Sequence, residues 1–419
     1  MDSGIQLEVT GGPSEITGSP DGLSLYVHIP FCETKCHYCD FNTYAGIEAL
    51  IPGYLGALET EIRFWGERLN RPVVSTVFFG GGTPSYVPIE GIEAICRAIF
   101  EAFNVTPDAE VTLESNPGDY SKRELGRYLE AGINRLSIGV QSLDDDLLKS
   151  LSRRHDSETA VGAYRSARDA GFDNINLDLM FGLSAQTADQ WRSTLERTVA
   201  LNPEHLSLYA LTLEPETPLD AMVRSGEVEE PDPDLAAEMY LHAESVLGNA
   251  GFEHYEISNW SLPGRESRHN LAYWLNVPYL GVGPGAHSFL PGRRFSALRS
   301  PRRYVDLLSG TMPDGDPVDV LSAVGLLDSV EPVTPETKLA DTMMMGMRLA
   351  RGIRSDEFQQ RFGLGLGEAF GSLIEEMVGL ELLVSDKDGI RLSDGGRLLG
   401  NEVFERFVTA SAEVELPGD

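Results

Sequence analysis

The sequence predicts an α/β fold built around a parallel sheet. Between residues 25 and 213, six short apolar runs typical of strands alternate with amphipathic stretches typical of helices. A helix that separates two strands of one sheet makes a right-handed crossover, so this alternation predicts parallel strands with ligands at their carboxyl ends. The predicted strands are 25–31, 74–79, 110–114, 135–140, 174–181 and 205–213. The predicted helices are 50–69, 88–102, 121–132, 156–171 and 186–201.

The composition of the 419 residues narrows the functional classes. A net charge of −32 argues against nucleic acid as a partner, because phosphates bind basic surfaces. The apolar segments run for about five to nine residues, well short of the roughly 18 that span a bilayer. Residues 1–23 lack the basic start and apolar core of a secretory signal and predict a flexible leader. Together with a low cysteine content, these features predict a cytoplasmic protein.

Three of the four cysteines lie within eight positions, on the loop after the first predicted strand. Cys32, Cys36 and Cys39 have the short spacing that lets one loop wrap thiolates around an iron–sulfur cluster. A 4Fe–4S cluster held by three thiolates has one iron without a protein ligand. A zinc site with His37 as fourth ligand remains open, although the chain offers no second ligand pair. The uneven number disfavours a disulfide framework, and buried free cysteines would not need this spacing.

The Cys-x3-Cys-x2-Cys motif after an apolar strand resembles that of the radical S-adenosylmethionine (SAM) enzymes. The resemblance implies a 4Fe–4S cluster on Cys32, Cys36 and Cys39, with the fourth iron chelated by the amino and carboxylate groups of SAM. In that family an electron from the cluster splits the SAM sulfonium to give a 5′-deoxyadenosyl radical, which requires a low cluster potential. The resemblance also implies that the six β/α units form a partial (β/α)6 barrel.

Glycines and polar residues follow the other predicted strands. Taken alone, the glycine triplet that begins at Gly80 is typical of a tight turn, and a carboxylate at a strand end is typical of a turn cap. Asp178 differs because it lies inside an apolar run, where a charged group needs a partner, either ribose hydroxyls or a basic side chain across the barrel. The resemblance implies that SAM contacts Tyr26, Tyr38, Gly81, Gly82, Thr83, Glu114, Gln141, Arg153 and Asp178.

Further motifs resemble one branch of this family, which contains oxygen-independent coproporphyrinogen III oxidases and haem chaperones. The resemblance covers residues 24–400 and includes Tyr26-Val-His-Ile-Pro-Phe-Cys32 and Gly139-Val-Gln-Ser142. The oxidases have a further cysteine where this chain has Phe41, and their N-terminal extension is longer. Both differences favour the chaperones.

The segment His269-Asn-Leu-Ala-Tyr273-Trp274 resembles the His-Asn-x-x-Tyr-Trp signature of the chaperone branch. From residue chemistry alone, His269 and His287 are read as hydrogen-bonded loop histidines. The resemblance reverses that interpretation for His269 only, and it implies that His269 is a haem ligand. A neutral imidazole suits haem iron, and the neighbouring aromatic rings offer flat surfaces to a porphyrin.

The last part of the chain predicts a small winged-helix-like domain. Helical stretches at 337–349, 355–361 and 370–378 precede a β-hairpin at 382–392 with an Asp-Gly turn. Residues 336–419 hold 9 Lys and Arg against 16 Asp and Glu, which disfavours DNA binding. The methionines at 343–347 and Cys96 are predicted core residues. The complete division is a flexible leader (1–23), a barrel (24–230), a barrel extension with the His-Asn-x-x-Tyr-Trp segment (231–299) and the C-terminal domain (300–419).

Two functions follow from these features. The favoured one is a haem chaperone that binds a 4Fe–4S cluster, SAM and haem and transfers haem to an unknown acceptor protein, with an electron donor for the cluster. The alternative is a coproporphyrinogen III dehydrogenase that oxidatively decarboxylates a porphyrinogen propionate. The sequence leaves open whether SAM is productively cleaved, and so whether the protein is an enzyme.

Overall fold

The computed structural model describes residues 22–417, and its centre is a sheet of six parallel strands in chain order. The prediction of a parallel α/β core is confirmed. The structure places the strands within a few residues of the predicted bounds, except that the third begins earlier. The strands are β1 (Leu23–Ile29), β2 (Val73–Gly81), β3 (Asn104–Ser115), β4 (Arg135–Gln141), β5 (Ile175–Phe181) and β6 (His205–Ala210).

Helices connect these strands and cover the outer face of the sheet. Two of them begin with capping boxes, at Ser121 with Glu124 and at Thr187 with Gln190, which satisfy the first free N–H groups. A short helix after β4 was not predicted, because six residues are too few for a helical period to be visible. The helices are α1 (Ile51–Arg68), α2 (Ile89–Ala102), α3 (Lys122–Glu130), α4 (Asp145–Ser150), α5 (Ser157–Ala170) and α6 (Ala188–Val199).

The two faces of the six strands differ in chemistry. The outward positions, such as Leu25 and Val27 of β1, are buried apolar side chains that belong to one large core under the helices. The alternate positions, such as Tyr26 and His28, point into the barrel and are mostly polar or aromatic. The sequence therefore places its polar strand residues inside the barrel.

Six further strands extend this sheet at both edges. In spatial order the sheet reads β12-β11-β10-β9-β1-β2-β3-β4-β5-β6-β8-β7, and β9 runs parallel to β1. The added strands are β7 (Glu253–Glu256), β8 (Asn259–Ser261), β9 (Tyr279–Val282), β10 (His287–Leu290), β11 (Arg293–Ala297) and β12 (Leu327–Pro332). The helices of this part are α7 (Pro218–Arg224), α8 (Pro233–Asn249), α9 (Arg268–Trp274), α10 (Pro301–Leu308) and α11 (Pro317–Ala323).

The C-terminal unit has its own core and its own antiparallel sheet, β13-β15-β14. The predicted hairpin is present, and two of the predicted core methionines, Met343 and Met347, are completely buried. Cys96 is buried in the large core, as predicted. The elements are α12 (Pro335–Gly346), β13 (Ile353–Arg354), α13 (Ser355–Phe362), α14 (Leu366–Gly379), β14 (Leu383–Asp386), β15 (Gly389–Leu392), α15 (Asp394–Leu398) and α16 (Gly400–Ser411).

The packing divides the chain later than residue 300. α10, α11 and β12 belong with the large sheet and its core, and the second core begins at Leu339. The hydrophobic pattern of the sequence did not predict β12, because the side chains of this strand are largely exposed and form no apolar run. At the other end, residues 1–21 of the predicted leader lie outside the described residues, and Leu23 already belongs to β1. No helix of the described part is long and apolar enough to cross a membrane.

Candidate functional site

A cavity of about 410 Å³ opens at the carboxyl ends of the parallel strands. Its volume lies in the range of small-molecule sites. It is lined by the cysteine loop after β1, by the glycine loop after β2 and by residues at the ends of β3 to β6. Eleven of the predicted site residues meet there: Cys32, Cys36, Tyr38, Cys39, Gly81, Gly82, Thr83, Glu114, Gln141, Arg153 and Asp178.

The cysteine loop is held in shape by its own backbone and by a distant turn. Cys32 N–H donates to the Tyr44 carbonyl (3.0 Å) and Tyr44 N–H to the Pro30 carbonyl (2.8 Å), which closes the loop on itself. The Asn42 amide then donates to the carbonyls of Pro284 (2.9 Å) and Arg299 (3.0 Å). The glycine-rich segment between β9 and β10, which the sequence did not explain, therefore anchors the cysteine loop.

The three cysteines are partly exposed, and each thiol lies near a polar side chain. Thr83 Oγ1 donates to Cys32 Sγ (3.5 Å), Arg153 Nη1 donates to Cys36 Sγ (3.5 Å), and Thr43 Oγ1 lies 4.0 Å from Cys39 Sγ. Burial raises the pKa of the Cys32 and Cys39 thiols. Deprotonated sulfurs at these positions therefore need a bound metal centre, which displaces the protons.

The arrangement fits a cluster better than a single ion. Within residues 22–417, no three His, Cys, Asp or Glu side chains converge closely enough to hold one metal ion. A zinc site on Cys32, Cys36, Cys39 and His37 requires such convergence. In a cubane each thiolate binds a different iron, so three separated thiolates around a cavity suit it.

The glycine triplet fits tightly against the cysteine loop. Gly82 N–H donates to the Ile29 carbonyl (2.7 Å), and Gly81 has a φ of 111°. A Cβ on Gly81 would lie 2.5 Å from the His28 ring, and one on Gly82 would lie 2.6 Å from the Phe31 carbonyl oxygen. Only glycine allows this approach, so the backbone of the loop forms one wall of the cavity.

Two carboxyl groups form the floor of the cavity. Glu114 accepts a hydrogen bond from Gly81 N–H (3.2 Å), and burial, with the nearby Asp178, raises its pKa to about 8. Asp178 accepts hydrogen bonds from Ser137 Oγ (3.1 Å) and Asn176 Nδ2 (2.8 Å). Among the described residues, Asp178 thus has a hydroxyl and an amide as partners, without an ion pair to the basic side chain that the sequence offered as one possibility, and burial still raises its pKa. Two carboxyls of this kind attract a cationic ligand.

Gln141, the last residue of β4, and Arg153, which follows α4, border the same cavity. Arg153 Nη2 donates to the Gly139 carbonyl (2.8 Å) and to Asn116 Oδ1. Burial by itself lowers the pKa of Arg153, but the adjacent Tyr38 and Cys36 outweigh burial and raise it. Gln141 has a φ of 64°, which is unusual for a residue with a side chain. The strand is irregular at this point, and this irregularity turns Gln141 into the cavity.

Tyr26 lies below the cavity instead of lining it. Its hydroxyl donates to His28 Nδ1 (3.0 Å), and His28 Nε2 donates to the Asn42 carbonyl (3.0 Å). Tyr26 therefore supports the cysteine loop through His28. Sequence reasoning gave no role to His28 or Asn42, and for His28 the two-residue alternation of β1 is the signal that identifies an inward-facing side chain.

His269 lies at the opposite, amino end of the barrel. It is 1% exposed, and its ring is hydrogen-bonded to Thr76 Oγ1 (2.8 Å) through Nδ1 and to the Tyr273 hydroxyl (2.9 Å) through Nε2. It also stacks on Phe78, with ring centroids 5.1 Å apart. Both ring nitrogens are hydrogen-bonded and the ring is enclosed, so ligation of haem by His269 would require these contacts to break, and this role stays a prediction of the sequence. The motif predicts aromatic surroundings correctly, but spacing alone does not show which way a helix faces.

Comparisons with known proteins agree with this architecture. The model of the radical SAM superfamily matches residues 26–198, and the model of the HemN C-terminal domain matches residues 333–399. In structure, the chain is similar to coproporphyrinogen III oxidase (HemN) from Escherichia coli, with a TM-score of 0.79 and 23% identity over 95% of this chain and 92% of that one. This likeness confirms the fold.

Curated relatives match nearly the whole chain. The heme chaperone HemW of Bacillus subtilis is 36% identical over 386 residues, 92% of this chain and 99% of the relative. The heme chaperone HemW of Mycobacterium tuberculosis is 35% identical over 400 residues, 95% and 97% of the two chains. The mitochondrial radical S-adenosyl methionine domain-containing protein 1 of Bos taurus is 37% identical and covers 92% and 87%. The chain belongs to the HemW family within the radical SAM superfamily.

Proposed function

We propose that the protein is a haem chaperone that holds a 4Fe–4S cluster and SAM in the strand-end cavity and transfers haem to an acceptor protein. The observation that carries the proposal is the meeting of three separated thiols, two buried carboxyls and a glycine wall around one cavity of about 410 Å³. The names of the curated relatives support the haem-carrying part.

The cavity residues have separate tasks in this proposal. Cys32, Cys36 and Cys39 bind the cluster, and the backbone at Gly81 and Gly82 receives the amino group of SAM. A bound cluster would supply an electron, and the amino and carboxylate groups of SAM would chelate its open iron. The acids Glu114 and Asp178 face the cationic part of SAM. The side chains that surround its polar groups are Thr83, Gln141, Arg153 and Tyr38.

Coproporphyrinogen dehydrogenase activity is the second candidate, and Phe41 argues against it. This residue occupies the position at which the oxidase-type motif has a further cysteine, and its side chain is 65% exposed beside the cavity. The structural likeness to the oxidase reflects the shared fold. The identity of the acceptor, the electron donor and the cytoplasmic location stay predictions of the sequence.

The test is an anaerobic reconstitution of the full chain, divided between a haem titration and a coproporphyrinogen turnover assay. We expect iron and sulfide at cluster stoichiometry and saturable haem binding without porphyrin product. Loss of porphyrinogen propionate carbon as carbon dioxide would contradict the chaperone proposal and support the dehydrogenase. A Phe41→Ala variant is the matched control: removing an exposed ring should leave iron content and folding unchanged.

A further inference from the structure

The eight histidines of the chain differ in whether a ring nitrogen can reach a ligand. His242 on α8 is partly buried, and its Nε2 atom is enclosed. His37 is accessible but lies between two of the proposed cluster ligands. His287, at the start of β10, is exposed. The other five have hydrogen-bonded rings in buried or half-buried positions: His28, His155, His205, His254 and His269.

His287 lies on a partly open face of the extended sheet. The strand registers place it directly opposite Ser296, and place Ser296 opposite Ser329. The same face continues across β9 to Tyr26 of β1, so it is the extension of the barrel's inner surface. An exposed imidazole on the face that continues the inner surface of the barrel can approach a ligand that is too large for the cavity itself.

Positive charge collects near this imidazole in a chain whose net charge is −32. Residues 293–303 contain five arginines and no acidic residue. Two of them, Arg293 and Arg294, form ion pairs with aspartates. Arg299 is exposed, as are the two arginines at 302 and 303, and none of these three forms an ion pair with another described residue.

Arg299 is the free arginine that lies near His287. Partial burial of the ring and then the positive charges of Arg294 and Arg299 lower the pKa of His287 and outweigh the opposite effect of Glu331, which favours the neutral imidazole. A neutral imidazole is a good ligand for haem iron, and a guanidinium group is a good partner for a carboxylate. The site therefore combines an imidazole that can bind haem iron with a guanidinium group that can bind a haem propionate.

We propose that His287 is an axial ligand of the transported haem and that Arg299 binds one of its propionates. The inference rests on the proposed haem-carrying function and replaces His269 as the ligand. The position also connects haem to the cluster loop, because Asn42 is hydrogen-bonded to Pro284, three residues before His287. A Cβ on Gly285 would lie 2.5 Å from the Asn42 amide, so this contact is close.

The experiment is a haem titration of the reconstituted full chain, followed by its Soret absorbance. His287→Ala should weaken haem binding by more than the roughly tenfold that loss of a supporting partner of a metal ligand typically costs. Added imidazole should restore the wild-type spectrum of His287→Ala, because it can occupy the vacated iron position. Ser296→Ala, on the same face, is the matched control and should bind haem as the wild type does.

The outcomes separate this inference from the proposed function. If the wild type binds haem and His287→Ala binds it equally well, His287 is not the ligand and the inference fails while the chaperone proposal stands. If the wild type binds no haem, the proposed function itself fails. Arg299→Glu should weaken haem binding without changing the ligand-field spectrum. If Arg299→Glu leaves haem binding unchanged and slows only the reduction of the cluster by an acidic electron-donor protein, Arg299 does not bind a propionate.

Discussion

The two ends of the barrel contain similar side chains in opposite states. At the carboxyl end, the cysteine thiols, Glu114 and Asp178 surround a cavity. At the amino end, Glu110 and His269 are also polar, but both are enclosed and hydrogen-bonded under the closing helix α9. Glu110 accepts hydrogen bonds from the N–H groups of Arg268 and His269, both at 3.1 Å. Solvent access and unsatisfied hydrogen-bonding groups, more than residue type, therefore distinguish a binding site from a polar core.

The closed end also joins the barrel to the C-terminal unit. Arg361 donates to the carbonyls of Leu275 (3.0 Å) and Asn276 (2.7 Å), just after α9. The guanidinium group of Arg348 lies 5.3 Å from the Trp274 ring centroid. The aromatic signature that the sequence associates with haem therefore contributes packing at this junction.

The largest effect is expected from removing one thiol at the open end. Cys36→Ser should abolish cluster binding, since two thiolates cannot hold the cubane, while the fold survives because the side chain is partly exposed. Iron and sulfide analysis after anaerobic reconstitution measures this. Cys96→Ala, at the buried cysteine of α2, is the control and should keep full iron content. Equal iron in both variants would contradict the assignment of the loop.

The pH dependence of SAM affinity tests the carboxyl pair. The pKa of Glu114 is raised to about 8, so below that pH a bound cation must first displace its proton. SAM affinity should therefore fall as the pH is lowered, by roughly tenfold between pH 8.5 and pH 7. Equilibrium dialysis of the reconstituted protein measures it. Glu114→Gln should bind more weakly with a flatter profile, and a flat wild-type profile would exclude this role for Glu114.

His269→Ala sharpens the contrast at the closed end. Deleting a buried ring that makes two hydrogen bonds should lower the free energy of unfolding by about 2–4 kcal/mol. Urea denaturation of the metal-free protein measures this. His287→Ala is the exposed counterpart and should change stability by less than about 0.5 kcal/mol. A His269→Ala protein of unchanged stability that has lost haem binding would restore His269 as the ligand.

Glu256 is a buried carboxyl group whose ionisation should lower the stability of the fold. Burial raises its pKa to about 7, from 4.5, so the folded protein keeps a proton that the unfolded chain releases, and stability is lost as the pH rises from 4.5 through 7. Glu256→Gln should therefore raise the free energy of unfolding at pH 8, by up to about 3 kcal/mol, and leave it unchanged near pH 4.5. Thermal melts at both pH values measure this. If Glu256→Gln raised the free energy of unfolding equally at pH 8 and pH 4.5, ionisation of Glu256 would not be the cause of the gain.

The smallest effect is expected at Gln141. Glycine adopts its φ of 64° without the strain of a side chain, so Gln141→Gly should raise stability by about 0.5–1 kcal/mol. SAM affinity should fall at the same time, because the side chain lines the cavity. A substitution to glycine at the exposed Asn70, where φ is 55°, should stabilise without changing SAM affinity.

The sequence predicts the open end better than the closed end, for physical reasons. Strand alternation and the crossover rule bring Cys32, Gly81 and Glu114 to one edge wherever the helices lie. The burial of His269 depends on how α9 docks onto residues more than 150 positions away, which no local pattern encodes. The exposed strand β12 was missed for the related reason that its place in the sheet comes from pairing with β11.

Electron paramagnetic resonance of the reduced, anaerobically reconstituted protein, with and without SAM, shows whether the cluster has an iron that SAM can bind. If three thiolates leave one iron open to the cavity, SAM must bind that iron and shift the cluster signal. We expect this shift in the wild type, and we expect Cys36→Ser to show no cluster signal at all. A protein that carries one zinc ion without sulfide, or a cluster signal that saturating SAM leaves unchanged, would contradict the proposed cluster site.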